Sequence, residues 1–265
     1  MSERPAGKGT RTQQHEIVID APLEAVWKAI SDGEELTRWF VQEASVEPRV
    51  GGMLTFSWGG GETGHNRIDE WEPNRKLRLT SLPFEMGAAK YDGTTPMVNE
   101  YTIERRDGKT VLRLVNSGIP DAPEWDGFYN GTESGWRSFL RTLRHYLEHH
   151  GGRPRTTIKV IGKLSGSPED AWARLVAAVK PTGTIVFEQA PAILEVNIPE
   201  LGDAYLAHSM SGAGANHYVY TMLSVYGKTP TEVETIRAKW QPWLEQVLGV
   251  EAAPEAEPSL VPEDS

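Results

Sequence analysis

The chain has 265 residues, room for two domains of ordinary size, and a formal charge of −10. Half of that charge, −5, lies in residues 251–265, which carry five acids and no bases; the remainder is mildly acidic and has no basic run interleaved with aromatics, so nucleic acid is not an expected partner. The chain has no cysteine, which excludes disulfides, thiolate metal sites and a cysteine nucleophile. Residues 1–14 are polar and contain no secretory core, and no apolar run is long enough to span a bilayer, so the expectation is a cytoplasmic protein without a membrane span.

In chain order, residues 15–20 read as a first strand and 22–31 as a helix opened by Pro22, whose missing N–H would have no partner in the first turn anyway. Residues 34–40 read as a second, short helix that carries Trp39 and Phe40. In Met53–Trp58 alternation puts Leu54, Phe56 and Trp58 on one face, and Gly59-Gly60-Gly61 breaks the strand. Strands follow at 66–71 and 77–80. Two more, at 99–105 and 110–116, flank an Asp107-Gly108 hairpin turn, with Tyr101 and Ile103 on one side of the first and Leu112 and Leu114 on one side of the second. From about Thr132 to His149, Trp136, Phe139, Leu140, Leu143, Tyr146 and Leu147 recur at helical spacing. A helix with so broad an apolar stripe needs a sheet curled around it.

The plan then repeats. Residues 156–164 form a strand, and Ser167-Pro168-Glu169-Asp170 opens a helix that runs to Val179. Lys180–Gly183 turns straight into a strand at 184–188, with no counterpart of the short helix at 34–40. Strands at 193–197, 204–210 and 217–226 follow. A final helix begins with the capping box Thr229-Pro230-Thr231-Glu232 and contains Pro242, where a kink is expected. The expected organisation is a flexible N-terminus (1–14), a first domain (15–150), a linker (151–155), a shorter second domain (156–249) and a disordered acidic tail (250–265).

The first domain resembles a known family. The matching residues are His15–Pro22, Val26-Trp27-Lys28-Ala29, Leu36–Phe40, Gly51-Gly52, Ile68–Pro73, Leu114–Gly118, and Gly135-Trp136 ahead of Leu140, Leu143, Tyr146 and Leu147. In this order they are similar to the Hsp-90 ATPase activator homologue branch of the START/polyketide-cyclase (SRPBCC) superfamily. The second domain looks like a divergent, shortened copy. The resemblance implies an α+β helix-grip fold, a curved antiparallel sheet around a long C-terminal helix, often with an apolar cavity between them. The superfamily includes lipid carriers, hormone receptors, polyketide cyclases and ring-hydroxylase subunits, so the fold does not choose a function.

The candidate ligand-binding residues are Trp39, Phe40, Phe56, Trp58, Tyr101, Leu114, Trp136, Leu140 and Leu143, which either line a pocket for a small hydrophobic molecule or fill the core. His65 and Glu70 are weaker candidates for acid–base chemistry; if Ile68 points inward, unbroken alternation takes Glu70 inward too. His145 and His149 have the i, i+4 spacing of a metal pair but no accompanying carboxylate pattern, and no metal or other cofactor is expected. Ser211–Asn216 reads as a flexible loop. The leading expectation is a binding protein for a small hydrophobic molecule. A cyclase- or dehydratase-type enzyme and an adaptor for a chaperone or other protein are the alternatives, and a homodimer is possible.

Overall fold

The computed structural model describes residues 9–59, 62–86, 89–213 and 216–252. Among them the chain divides into two compact units that meet at Gly152 and Arg153. Each is an antiparallel sheet followed by a long helix, as expected of tandem helix-grip units.

Unit 1 opens with β1 (Thr10–Ile19), whose inward positions are Gln13, His15, Ile17 and Ile19. The strand starts five residues before the apolar pattern does, because its ladder with β9 (Lys109–Pro120) continues from His15↔Leu114 out to Thr10↔Pro120. Residues 10–14 are therefore strand rather than flexible terminus; residues 1–8 lie outside the described residues. Helix α1 (Leu23–Ser31) follows Pro22, and α2 (Gly33–Thr37) is capped by Asp32, whose side chain accepts the Glu35 N–H at 3.0 Å. Helix α2 ends before the two aromatics that the sequence placed within it. The N–H groups of Trp39, Phe40 and Val41 all turn back onto the Leu36 carbonyl, at 3.5, 2.9 and 3.2 Å.

The sheet continues with β2 (Glu43–Val46), β3 (Met53–Gly59), β4 (Glu62–Glu72), β5 (Lys76–Ser81) and β8 (Val98–Arg106) in the order β1-β9-β8-β5-β4-β3-β2. Asp107 and Gly108 take φ of 52° and 80°, the left-handed pair that a two-residue hairpin turn needs. A separate hairpin, β6 (Phe84–Met86) and β7 (Ala89–Tyr91), was not foreseen, because three-residue strands are too short to show a period. It packs Tyr91 and Ala89 with Met97, Ile119, Trp125 and Phe128 in a satellite core.

Helix α3 (Asp126–His149) starts six residues before the expected start at Thr132, after a 3₁₀ turn at Pro123–Trp125. Gly127, Asn130 and Gly131 have low helix propensity, which hid that beginning; Phe128, buried in the satellite core, is what holds it. Leu140, Leu143 and Tyr146 bury the helix's inward face.

Unit 2 comprises β10 (Arg155–Leu164), α4 (Pro168–Val179), β11 (Thr184–Gln189), β12 (Ile193–Ile198), β13 (Ala204–Ala213), β14 (Asn216–Tyr226), α5 (Pro230–Leu248) and β15 (Val250–Ala252). Its first strand pairs with its last long strand, as β1 does with β9, and the sheet order is β11-β12-β13-β14-β10-β15. The repeat of unit 1 is thus one of wiring, without the outer strands β2 and β3 or the β6–β7 hairpin. Ser167 and Thr229 cap α4 and α5, the latter through a complete capping box, and α5 runs unbroken through Pro242. Three expected boundaries move: Arg155 belongs to β10, Ser211–Ala213 and Asn216 extend the two strands expected to flank a loop, and residues 250–252 form β15, which pairs with Gly162–Leu164. The rest of the acidic tail lies outside the described residues. Among the described residues no helix is long and apolar enough to cross a membrane.

Candidate ligand site

The tight turn after α2 fixes two rings with different roles. Trp39 is 1% exposed, and its Nε1 donates to the Ala29 carbonyl of α1 at 2.8 Å, so it anchors the turn in the core. Phe40, next in sequence, is the hub of a ring cluster. It stacks on Trp136 of α3 at 5.5 Å and on Trp39 at 5.2 Å, and meets Phe139 edge-on at 4.9 Å, Phe56 at 5.4 Å and Trp58 at 5.5 Å. Phe56 lies across from Gly64 on β4, where a Cβ would come within 2.3 Å of its ring; the glycine is what lets that ring lie flat on the sheet. Phe56, Trp58, Trp136 and Phe139 remain half-buried, while Leu114, Leu140 and Leu143 lie in the closed floor of the unit. The cluster continues through Trp136 to Tyr101, 6.2 Å away.

Beside Tyr101 the concave face changes character. The ladder aligns His15, Leu114 and Tyr101 in one row across β1, β9 and β8, and Gln13, Asn116 and Asn99 in the next. Gln13, His15, Asn116 and Tyr101 are all at least nine-tenths buried. Gln13 is used structurally: its Nε2 donates to the Tyr129 carbonyl at 2.6 Å. The Asn99 Oδ1 is buried with no hydrogen-bond partner among the described residues, and burial alone pushes the Tyr101 hydroxyl far above the ordinary tyrosine range. The His15 Nε2 also lacks an aligned partner; it lies 3.5 Å from Glu133 Oε2. Burial lowers the His15 pKa, Glu133 opposes that effect and Arg137 adds to it, so the ring is neutral at neutral pH. Arg137 holds the other Glu133 oxygen at 2.6 and 3.0 Å. Sequence reading missed this row because polar residues in strands ordinarily face water; the signal available was His15 and Gln13 in step with Ile17 and Ile19.

His65 and Glu70 stand apart from the site. His65 is exposed and lies 3.4 Å from Thr55 Oγ1. Glu70 pairs with Lys76 Nζ at 2.9 Å among Arg78 and Glu100, on the face opposite Leu77 and Leu79. The inward expectation for Glu70 required unbroken alternation from Ile68; a β-bulge between the two resets it. The bulged Asp69 instead bonds Arg67 and the Thr80 hydroxyl, which hold its carboxyl below the usual range against the cost of burial. His145, His149 and His150 place their rings 4.6–6.1 Å apart, yet no group of three potential ligands fit for a metal ion exists among the described residues.

The far end of α3 is tied by a buried polar knot. Tyr146 donates its hydroxyl to Glu35 Oε2 at 2.6 Å and accepts the Gly152 N–H at 2.8 Å, while Arg38 and Lys28 pair with the other Glu35 oxygen. Burial, then the bond to Glu35, pushes the Tyr146 pKa up to about 12.

Residues 20–148 match the family model described as Activator of Hsp90 ATPase homolog 1-like protein. This stretch is an AHSA1 domain of the SRPBCC superfamily. No curated protein matches the chain. Among solved structures, the chain is similar to protein MLL2253 of Mesorhizobium loti, with 26% identity over 53% of this chain and 98% of that one and a TM-score of 0.46. The Aha1 protein of Colwellia psychrerythraea, solved as a dimer, shares 20% identity over 54% of this chain and 98% of its own, with a TM-score of 0.46. DynU16, described as a putative protein of the dynemicin biosynthetic locus, shares 18% identity over 90% of this chain and 96% of its own, with a TM-score of 0.45. The AHSA1 domain ends at the helix that carries Trp136, and unit 2 lies beyond it.

Proposed function

We propose that the AHSA1 domain binds a small, largely apolar aromatic molecule between α3 and the concave sheet. The observation that carries this reading is the ring cluster around Phe40, in which Phe56, Trp58, Trp136 and Phe139 stay partly exposed while Leu114, Leu140 and Leu143 are buried. Apolar surface left open beside a packed core is the usual wall of a ligand site, with a few polar groups for orientation. Trp39 belongs to the supporting structure instead, since its indole is sealed and hydrogen-bonded. His65 and Glu70 take no part.

Flavone titrated into the full chain, followed by tryptophan quenching and calorimetry, tests the reading. Saturable binding is expected, and Trp58→Ala is expected to weaken it about tenfold, roughly the worth of one lost aromatic stacking contact and its buried area. Binding that Trp58→Ala leaves unchanged, or no binding, would mean that the rings serve only to fill the unit.

A further inference from the structure

We infer that two copies of this chain associate through the outer edge of β1, the two strands pairing antiparallel about a two-fold axis at Gln14. This goes beyond ligand binding and does not depend on it.

The first observation is an open edge. Strand β1 ends the seven-stranded sheet and has a ladder on one side only, with β9. Among the described residues, no hydrogen bond reaches the backbone of Thr10–Ile19 from the other side. Every second residue of such an edge presents an unpaired N–H and C=O, a template for a further strand.

The second is that the other edges of the two large sheets are protected and this one is not. Strand β2 has four residues, and α2 starts against it: a Cβ on Gly33 would come within 2.9 Å of the Ala44 carbonyl oxygen. Strand β11 is broken by a bulge between Ile185 and Phe187, and β15 has three residues. Strand β1 has ten residues, no proline and an unbroken register from Thr12 to Ile19. Its outward row of Thr12, Gln14, Glu16 and Val18 is exposed. Charged side chains are a usual guard on an edge, but the one charge in this row, Glu16, is held by Arg106 at 2.9 Å.

The third is the match of the row to itself, which selects a second copy as the occupant. Opposed residues in an antiparallel pair point to the same face, so a two-fold pairing is centred on a residue, never between two. Centred on Gln14, the pairing sets Thr12 against Glu16 and Thr10 against Val18, and no like charges meet. Gln14 faces the partner's Gln14 on the axis. Its Oε1 accepts from Arg113 at 2.8 Å, which leaves the amide N–H groups to donate across the axis. A strand pair with its flanking side chains lies at the small end of specific interfaces, so the dissociation constant is expected to be roughly 10–100 µM.

Sedimentation velocity of the full chain, at concentrations spanning that range, tests the inference. The parent is expected to pass from monomer to dimer. Gln14→Lys and Gln14→Glu each set like charges face to face on the axis, and each alone is expected to weaken the dimer about tenfold or more. An equimolar mixture of the two variants places opposite charges there and is expected to restore the dimer. Gln14 is exposed, so unchanged urea midpoints show that both variants keep the fold. A parent that stays monomeric, variants that dimerise as the parent does, or a mixture that associates no better than its components would overturn the inference. None of these outcomes bears on flavone binding.

Discussion

The imidazole of His208 sits on the inward face of β13, level with Leu194 of β12 and Thr221 of β14. Its Nδ1 meets the Thr221 hydroxyl, its Nε2 has no hydrogen-bond partner among the described residues, and burial pushes its pKa from 6.5 down to about 4. Between those two values an unfolded chain takes up a proton that the folded chain refuses. Stability from this residue is thus complete above pH 6.5 and is withdrawn as the pH falls toward 4, by about 3 kcal/mol in all. Urea unfolding at pH 7.5 and 4.5 should show a larger acid loss for the parent chain than for His208→Gln, which keeps a polar group beside Thr221 without the titration. Equal losses would show that this imidazole is hydrated. The same reasoning separates Trp39 from Phe40. Sequence put both on one helix as equals, but the Trp39 N–H found a backbone carbonyl and became structural, while Phe40 became the hub of the ring cluster.

At the scale of elements, α2 is only five residues long and cannot hold itself together. It persists because Glu35 carries it into a knot with Arg38, Lys28 and Tyr146 of α3. Tyr146→Phe removes the hydroxyl from both Glu35 and the Gly152 N–H and should cost about 2–3 kcal/mol, within the range for hydrogen bonds to charged groups. Because α2 positions the Phe40 turn, this variant should also weaken flavone binding; an unchanged midpoint in chemical denaturation would show that the knot is dispensable. Elements with a long period were legible in the sequence: α4, the hairpin at Asp107-Gly108 and the capping box of α5 fall where patterning put them. What escaped lacked a period or broke one. The start of α3 is rich in glycine, β6 and β7 are three residues each, and the bulge after Ile68 moved Glu70 to the opposite face. The aromatic half of the candidate site could be read from alternation, but the polar half could not. Whether Asn99 and Asn116 face a helix or water depends on what covers the sheet, which local sequence does not encode.

At the scale of the whole chain, the two units share wiring and differ in what they enclose. Unit 2 packs Ile158, Val160, Leu194, Val196, Leu206, Leu223 and Val225 against α4 and α5 in a nearly continuous aliphatic core. Unit 1 buries Gln13, His15 and Asn116 in its sheet, and unit 2 buries Glu195, His208 and Thr221 in its own. The closing three-residue strand β15 has a further consequence. By pairing with Gly162–Leu164 it occupies backbone groups at the end of β10 that would otherwise be open to any passing strand. The Arg174 side chain, donating to the Val247 and Leu248 carbonyls, and the Ser165 N–H, donating to the Gly249 carbonyl, steer the chain into that position. These few residues act as a guard against templated self-association. A chain cut after Gly249 should keep its helical and sheet signals by circular dichroism yet scatter more light on concentration, and a shortened chain that stays as monodisperse as the parent would show that the edge needs no guard.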